Sequence, residues 1–404
     1  MDLEPRGHDK VVHLIGKGVS IPNPYTVDIG DDVDVDRISG DGVTLLPGCR
    51  IHGARTAISA GCTLGAEGPV VIDDCRLGPK VELKAGYFTR SVFLEKANMG
   101  LGAQVREGCL LEEEANGAHC VGLKQTILFP FVTLGSLINF CDCLMAGGTS
   151  RKDHSEVGSS YIHFNYTPDG DKTTASLFGD VPRGVMLDQP PIFLGGQGGA
   201  VGPVRVGYGS VVAAGSVLRE DLLDDGQLVA VMPPGFERDH RPHTYKNLVR
   251  VVRNNVLYLA NLAALEQWYR RVREPFFARQ ELGPLVYEGA LEMLSMATGE
   301  RLKRLKAMAA KVPAFTPAGR EFSANVDAVC ALFDGEADLP NGDDFLIAFR
   351  PEQAAASGNY TETIQGLAPE WRALGVQWLN QVVETLCAQA DDLLKSMALF
   401  AAQR

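Results

Sequence analysis

The sequence predicts a mainly β fold, a triangular β-solenoid, followed by an α-helical domain. Up to about residue 222, aliphatic and small residues recur with a period of six. The 44 glycines of this 404-residue chain are dense up to about residue 216 and sparse afterwards, which marks a change of architecture. Beyond that point apolar residues recur at steps of three and four, as in amphipathic helices.

The six-residue repeat is clearest in VGYGSVVAAGSVL, which places Val206, Val212 and Leu218 six positions apart. Less perfect copies occur at 58–68, 71–83, 99–105 and 121–138. An aliphatic residue at every sixth position fits neither a helix nor simple strand alternation. It suits a solenoid in which each flat side is a short strand and each corner a turn of small residues.

The repeat sets the predicted domain boundaries. We predict an N-terminal arm over 1–26, a solenoid over 27–222 and a helical domain over 223–404. The six-residue pattern breaks down at about 146–190, where charged, aromatic and turn residues replace it. We interpret this stretch as one inserted loop, and loops are where binding and catalytic residues concentrate.

Three stretches of the C-terminal part have helical periodicity, at 245–273, about 284–312 and 369–402. In the first, apolar residues lie on one face and arginines on the other. The simplest interpretation is an antiparallel bundle that caps the end of the solenoid or adds contacts between subunits.

Composition limits the partners. The formal net charge is −12 and the isoelectric point about 5.2, which disfavours nucleic acid and anionic membranes. Nine cysteines form no C-x-x-C pair, the first ten residues lack the apolar core of a signal peptide, and no apolar run is long enough to cross a bilayer. We therefore expect reduced thiols, a cytoplasmic location and a small-molecule or protein partner.

The repeats over about 27–221 resemble the hexapeptide-repeat proteins, which are left-handed parallel β-helices and mostly acyltransferases. Prisms of this family usually form trimers, with active sites in clefts between neighbouring prisms. The resemblance therefore implies a homotrimer with a sugar substrate bound between its subunits.

The inserted stretch resembles the acetyltransferase half of the bifunctional bacterial enzyme that makes UDP-N-acetylglucosamine. The resemblance implies acyl transfer from acetyl-CoA to the amine of a phosphorylated or nucleotide-linked amino sugar. His154, which opens HSEVG, matches the family's catalytic base. Only 11 positions separate His154 from Asn165, about half the family's spacing, so His163 is a second candidate for the base.

The same resemblance implies a substrate-binding set. Asn165 and Tyr166, followed by an Asp-Gly and Lys172, resemble the family's Asn-Tyr-Asp-Gly and lysine, with a Thr-Pro insertion. Arg151 and Lys152 could share the negative charge of a sugar phosphate. The alternative is a polar turn without a binding role.

Small residues at Gly196, Ala213 and Ala214 resemble the family's acyl-CoA-binding coils. Such residues would let the pantetheine arm lie close to the backbone. A solenoid requires small residues at its turns in any case, so this stretch indicates the fold more strongly than the ligand.

Three alternatives stay open. LMAGGTSRK at 144–152 is similar to the phosphate loop of sugar nucleotidyltransferases, although no βαβ unit surrounds it. His119, His154 and His163 could hold zinc, as histidines do in a related family of carbonic anhydrases. Their spacing disfavours this, and we expect no metal. The third alternative is a non-catalytic scaffold that binds a sugar nucleotide.

Overall fold

The computed structural model of the protein describes residues 4–232, 235, 237, 242–334, 339–355 and 359–400. These residues form a left-handed parallel β-helix of triangular cross-section, followed by a helical domain. The predicted fold class is confirmed.

Each coil of the solenoid contributes a strand to each of three faces. The first face contains Asp28–Ile29, Arg50–His52, Val70–Asp73, Gly86–Thr89, Ala103–Val105, the starts of Gly122–Leu128 and Asn139–Met145, Ile162–Phe164, Gly199–Val201 and Val217–Leu218. The second contains Ala57–Ile58, Arg76–Leu77, Ser91–Phe93, Cys109–Leu111, the ends of the two long strands, Ser176–Phe178 and Arg205–Val206. The third contains Thr44–Leu45, Thr63–Leu64, Glu82–Leu83, Asn98–Met99, Asn116–Gly117, Thr133–Leu134, Glu156–Val157, Phe193–Leu194, Val211–Val212 and Leu228–Val229.

The third face has ten strands, so the solenoid has ten coils on this face. Inward-pointing aliphatic residues stack from coil to coil, as Leu45, Leu64 and Leu83 do in register. The two seven-residue strands bend from the first face to the second at Gln125 and Asp142, both of which have positive φ. The six-residue repeat thus corresponds to one inward side chain per face.

We name the three edges of the prism by the faces they join. Corner A joins the first and second faces, and 106–108 is an example. Corner B joins the second and third faces, as at 112–115, and corner C joins the third and first faces, as at 118–121.

The N-terminal arm predicted for 1–26 contains a helix, α1 (His8–Lys17). Val11 and Leu14 of this helix are fully buried and belong to the same apolar core as the first coils. Helix α1 therefore covers the open end of the solenoid, where a bare coil would expose unpaired strand edges.

The single insertion predicted at about 146–190 is three separate excursions, because strands of all three faces lie between them. The first leaves corner B as a hairpin of two short strands, Gly148–Ser150 and Asp153–His154. The second, 165–175, leaves corner A, and the third, 179–192, leaves corner B again and contains α2 (Val181–Gly184).

The C-terminal helices follow in chain order: α3 (Leu248–Trp268), α4 (Glu274–Phe277), α5 (Gly283–Ala309), α6 (Pro317–Ala331), α7 (Asp343–Ala355), α8 (Tyr360–Gln365) and α9 (Pro369–Leu393). A π-helical segment, Tyr269–Arg273, continues α3 into α4. Helix α5 packs on the second-face strands, and α3 packs on Ser176–Phe178. The helices therefore lie along the second face, not at the solenoid end.

The approach of α5 to the second face is close enough to require a glycine. A Cβ atom at Gly289 would lie 2.3 Å from Arg76 Cδ and 2.9 Å from Val92 Cγ2. Arg76 itself is buried and forms an ion pair with Glu292, one turn further along α5.

A buried charge cluster holds the π-helical segment against corner B. Arg273 is 1% exposed, forms ion pairs with Glu112 and Glu113, and lies over the ring of Tyr360. The Tyr269 hydroxyl donates to Glu112 Oε1 at 2.5 Å. Burial raises the pKa of Glu112 to about 7, with Arg273 opposing the shift. One guanidinium therefore compensates two buried carboxyl groups.

Removing the Arg273 guanidinium should lower the free energy of unfolding more than removing an exposed charge from the same segment. We expect Arg273→Ala to lower the free energy of unfolding by about 3–5 kcal/mol, because it leaves buried carboxyl groups uncompensated. Urea unfolding followed by circular dichroism measures this. Arg271→Ala, an exposed position of the same segment, is the matched control and should change stability by about 0.5 kcal/mol or less. Equal losses for the two variants would contradict the cluster's role.

Candidate functional site

The hairpin at corner B carries His154. Its two strands approach closely at Gly148, which has a φ of +96° and pairs with His154. A Cβ atom at Gly148 would lie 2.5 Å from His154 Cα, so the glycine permits this pairing. The hairpin is anchored from below, because Ser155 Oγ donates to the Ala146 carbonyl at 2.8 Å.

The imidazole of His154 is oriented by its own hairpin. Nδ1 lies 3.0 Å from the carbonyl oxygen of Arg151, which can only accept, so Nδ1 carries the proton in the neutral ring. Nε2 is then the basic nitrogen, and it lies 3.7 Å from Glu156 Oε2. The side chain is 20% exposed. A partly exposed imidazole held at one nitrogen, with the other beside a carboxylate, is suited to general base catalysis.

Arg151 and Lys152 differ in their surroundings. Arg151 Nη1 donates to the carbonyls of Glu114 and Phe131 and to Thr133 Oγ1, so its guanidinium ties the hairpin to the preceding coils. Lys152 is exposed, and no ion pair of its ammonium group occurs among the described residues.

His163, the second candidate for the base, lies inside the prism. Its Nδ1 is 2.6 Å from the Cys141 carbonyl and its Nε2 is 2.7 Å from Ser176 Oγ. The ring packs at the edges of Phe140 and Phe178. Burial lowers the pKa of His163 to about 4. Both nitrogens are therefore engaged, and the neutral imidazole contributes to the core.

The excursion at corner A carries Asn165, Tyr166 and Lys172. Asn165 Nδ2 donates to Asp142 Oδ2 at 2.8 Å, whereas Tyr166 is 71% exposed. Lys172 has a φ of +55°, and its carbonyl accepts from Arg301 Nη1. The Lys172 ammonium has no partner among the described residues.

This corner A loop is an attachment point for the helical domain. Arg301 of α5 forms a buried ion pair with Asp142, and Lys311 Nζ donates to the Asp169 carbonyl. The Tyr245 hydroxyl donates to Asp171 Oδ2 at 2.9 Å. These contacts could not be predicted from the sequence, because their partners are more than 70 residues apart in the chain.

Gly196, Ala213 and Ala214 lie at corner C. A Cβ atom at Gly196 would be 2.6 Å from the Ser159 carbonyl oxygen, so backbone from successive coils is in close contact there. Ala214 is exposed. Gly196 and Ala213 are partly exposed.

A single chain therefore does not bring the predicted site residues together. The hairpin with His154 leaves corner B, the loop with Asn165 and Lys172 leaves corner A, and the small residues lie at corner C. The helical domain covers the face between corners A and B.

The phosphate-loop pattern and the three-histidine pattern do not form the sites that they resemble. Residues 144–152 are the end of a long strand and the antiparallel hairpin, not a strand-to-helix phosphate loop. His119 is exposed and its Nδ1 lies 2.8 Å from Ser136 Oγ. In the part of the chain that the structure describes, no group of three or more His, Cys, Asp or Glu side chains could hold a metal ion, so the three histidines do not converge.

A groove of about 680 Å³ lies beside the same corner as His154, between the α2 excursion and α9. Sequence analysis did not identify it, although its lining includes a row of exposed amide side chains on α9, at 377, 380 and 381. None of the described helices combines the length and apolar composition that a membrane span requires.

Comparison with known proteins finds relatives named bifunctional protein GlmU. The chain is 28% identical over 223 residues to that of Trichlorobacter lovleyi, which covers 55% of this chain and 43% of the relative. The corresponding values are 26% over 213 residues for Thermotoga petrophila (53% and 42%) and 28% over 231 residues for Clavibacter sepedonicus (56% and 42%). The matches thus span less than half of these relatives. No protein-family model matches the chain.

The solenoid and this similarity together confirm the resemblance to hexapeptide-repeat proteins akin to the acetyltransferase half of the bifunctional enzyme.

The buried state of His163 predicts a pH dependence of stability. The unfolded chain binds a proton at His163 below about pH 6.5, whereas the folded chain does so only near pH 4, so stability falls as pH decreases across this window. His163→Gln should be less stable at neutral pH and should have a flatter profile over that window. Urea midpoints as a function of pH measure this. Glu112 titrates with the opposite sign and is present in both proteins, so their difference isolates His163.

Proposed function

We propose that the protein transfers an acyl group, most simply acetyl, from acyl-CoA to the amine of a phosphorylated or nucleotide-linked amino sugar, with His154 as the general base. The similarity to bifunctional protein GlmU supports the class of reaction. The observation that carries the proposal is the His154 ring, fixed at Nδ1 by a carbonyl, with Nε2 beside Glu156 and the side chain partly exposed.

The chemistry needs one base near neutral pH. The sugar amine attacks the thioester carbonyl and gives up a proton to His154 Nε2 as the new C–N bond forms. Glu156, 3.7 Å away, stabilises the resulting imidazolium. The tetrahedral intermediate then collapses, the C–S bond breaks, and the imidazolium returns its proton to the departing CoA thiolate. The donor acyl-CoA is a substrate, and the step requires no metal.

We propose that the site is completed between three copies of the chain. The helical domain covers the second face, so the first and third faces and corner C are left for a neighbouring copy. Apolar side chains are exposed on these two faces near the C-terminal coils, with Phe164 of the first face 42% and Phe193 of the third face 39% exposed. A neighbour's corner C, with Gly196, Ala213 and Ala214, would then supply the acyl-CoA groove to the His154 hairpin.

Under this proposal Lys152, two positions before His154, would bind the sugar phosphate. Arg151 would not, because its guanidinium attaches the hairpin to the preceding coils. Asn165, Tyr166 and Lys172 would bind substrate only through their exposed groups and at another corner of the trimer. We place the protein in the cytoplasm, where acyl-CoA and nucleotide sugars are available.

One observation favours a second candidate, a non-catalytic sugar-nucleotide scaffold. Arg151, Asn165 and the backbone of Lys172 make contacts that hold the fold, as a scaffold that has lost catalysis would retain. The sugar-nucleotide pyrophosphorylase alternative has less support, since 144–152 form a hairpin rather than a phosphate loop.

Thiol release from acetyl-CoA tests the reaction. With a panel of amino-sugar phosphates and UDP-amino sugars, we expect release with one acceptor and a loss of about 100-fold or more in His154→Ala. His119→Ala, an exposed histidine of the same solenoid, is the matched control and should retain activity.

Equal release from the native protein and His154→Ala would exclude His154 as base, and loss in His163→Gln alone, in a variant that circular dichroism shows to be folded, would assign that role to His163. No release with any acceptor, from a protein that still binds a UDP-sugar, would favour the scaffold.

Mixed assemblies test whether the site is shared between copies. His154→Ala and Ala214→Trp should each be inactive, the second because an indole blocks corner C at an exposed position. After the two are refolded together in equal amounts, about one quarter of the sites combine a native hairpin with a native corner from a different chain, so about a quarter of the activity should return. No recovery in verified mixed trimers would contradict a shared site.

A further inference from the structure

The groove between the α2 excursion and α9 belongs to neither the prism nor the helical domain alone. The excursion supplies Arg183, Asp188 and Gln189, and α9 supplies the opposite wall from Pro369 to Glu384. Its volume of about 680 Å³ lies within the range of small-molecule sites, which occur preferentially between structural units.

The two arginines of the groove differ in how many of their N–H donors are already used by contacts within the protein. Arg183 is used by the fold, because Nε donates to Asp180 and both terminal nitrogens donate to Asp225. Within the described part of the chain, Arg372 donates only through Nη1, to Asp188 Oδ2 at 2.9 Å. Its Nε is buried without a hydrogen-bond partner among the described residues. The Arg372 guanidinium is therefore incompletely satisfied, at one end of the groove.

Beyond Arg372, the wall formed by α9 is lined by primary amides. Gln377, Asn380 and Gln381 are exposed, and spacings of three and four residues place them on one face of the helix. None of their amide groups has a protein partner in the described part of the chain. Each carries both donors and an acceptor, which is the combination that pairs with vicinal hydroxyls.

Carboxylates in the groove limit what it can bind. Asp188 competes for Arg372, and Glu384 lies at the far end of the wall. With two arginines and two carboxylates, the lining is close to neutral and would not attract a highly charged anion. It suits a hydroxyl-rich ligand with one anionic group.

The groove adjoins the hairpin that carries His154. The Gly148 amide donates to the Gln189 carbonyl at 2.9 Å, and Gly148 pairs with His154 across the hairpin. Gln365, just before α9, donates to the carbonyls of Thr149 and Leu187. The walls of the groove and the hairpin are therefore hydrogen-bonded to each other.

We propose that this groove binds a sugar phosphate, free or nucleotide-linked, with its phosphate at Arg372 and its hydroxyls along Gln377, Asn380 and Gln381. The groove itself is independent of the proposed acyl transfer, but the choice of sugar phosphates as probes rests on that function. The helical domain thereby supplies ligand-binding residues beside the solenoid.

Direct binding to the full chain tests the site without relying on turnover. The probes for calorimetry are glucosamine 1-phosphate, UDP-N-acetylglucosamine, UDP and N-acetylglucosamine. We expect the first two to bind, and Arg372→Gln to weaken them about tenfold or more because a charge-assisted contact is lost. Asp188→Asn should tighten them by about threefold, because it removes the carboxylate that competes for Arg372.

Asn380→Ala should weaken binding of both sugar phosphates, whereas Gln389→Ala, an exposed amide on α9 outside the groove, should not. Preferred binding of the UDP-linked sugar over glucosamine 1-phosphate would identify the nucleotide-linked form, and the reverse order the free form. Absence of binding, equal binding of N-acetylglucosamine, stronger binding of UDP alone, or affinity unchanged by Arg372→Gln and Asp188→Asn would overturn the proposal.

The outcome is separable from that of the proposed function. His154→Ala should bind the probes as the native protein does while losing thiol release. Binding that follows the predicted variant pattern, without thiol release from any acceptor, would retain the groove and reject the acyl transfer. Thiol release without groove-dependent binding would support the acyl transfer and reject the groove as a binding site.

Discussion

The closure of each coil is the constraint on which the rest of this structure depends. Asn98 pairs with Asn116, 18 positions further along, and each inward side chain lies on the one from the coil before. The backbone hydrogen bonds of a coil are made by its neighbours, so no strand can be lengthened or displaced without breaking two ladders. Additional residues can leave only at corners. This explains why the three excursions between Met145 and Ile192 are separated by intact strands, and why each emerges at a corner, two at corner B and one at corner A.

The helical domain follows from the same constraint. A prism has three flat faces, and α5 lies so close to the second that it requires a glycine at the contact with Arg76 and Val92. Flat apolar contact does not by itself fix where a helix lies along the face. Buried charge pairs such as Arg273 with Glu112, and Arg301 with Asp142, supply that register, since a displaced helix would leave charges uncompensated. The net energy of such pairs is small, but the cost of misplacing them is large.

The sequence was sufficient to predict the fold class, because period-six patterning reports directly which side chains point inward. Val206, Val212 and Leu218 are buried at successive sides of one coil. Residues six positions apart in the chain therefore occupy equivalent inward positions on successive faces. The three excursions were harder to predict, because the six-residue repeats that separate them, such as the one around Val157, are short and imperfect and lie between polar stretches. One broken stretch was therefore inferred where the chain makes three.

The candidate site was less predictable for a different physical reason. His154 is oriented by a carbonyl three residues before it, a local contact that a motif can signal. Arg301 and Arg372 act on parts of the solenoid more than 150 residues earlier, and no local pattern reports such pairs. His163, two residues before the Asn-Tyr pair, has the composition of a site residue, but strand alternation turns it into the core.

A straight prism has no concave surface of its own, because its faces are flat and its corners convex. A small molecule can be enclosed only where something else lies against it. In this chain one such boundary is internal, between the α2 excursion and α9, and under the proposed trimer others would form at the first and third faces. The His154 hairpin emerges at corner B, where the internal boundary meets the uncovered third face. Both proposed sites therefore converge on this edge for a geometric reason that holds whichever ligand each one binds.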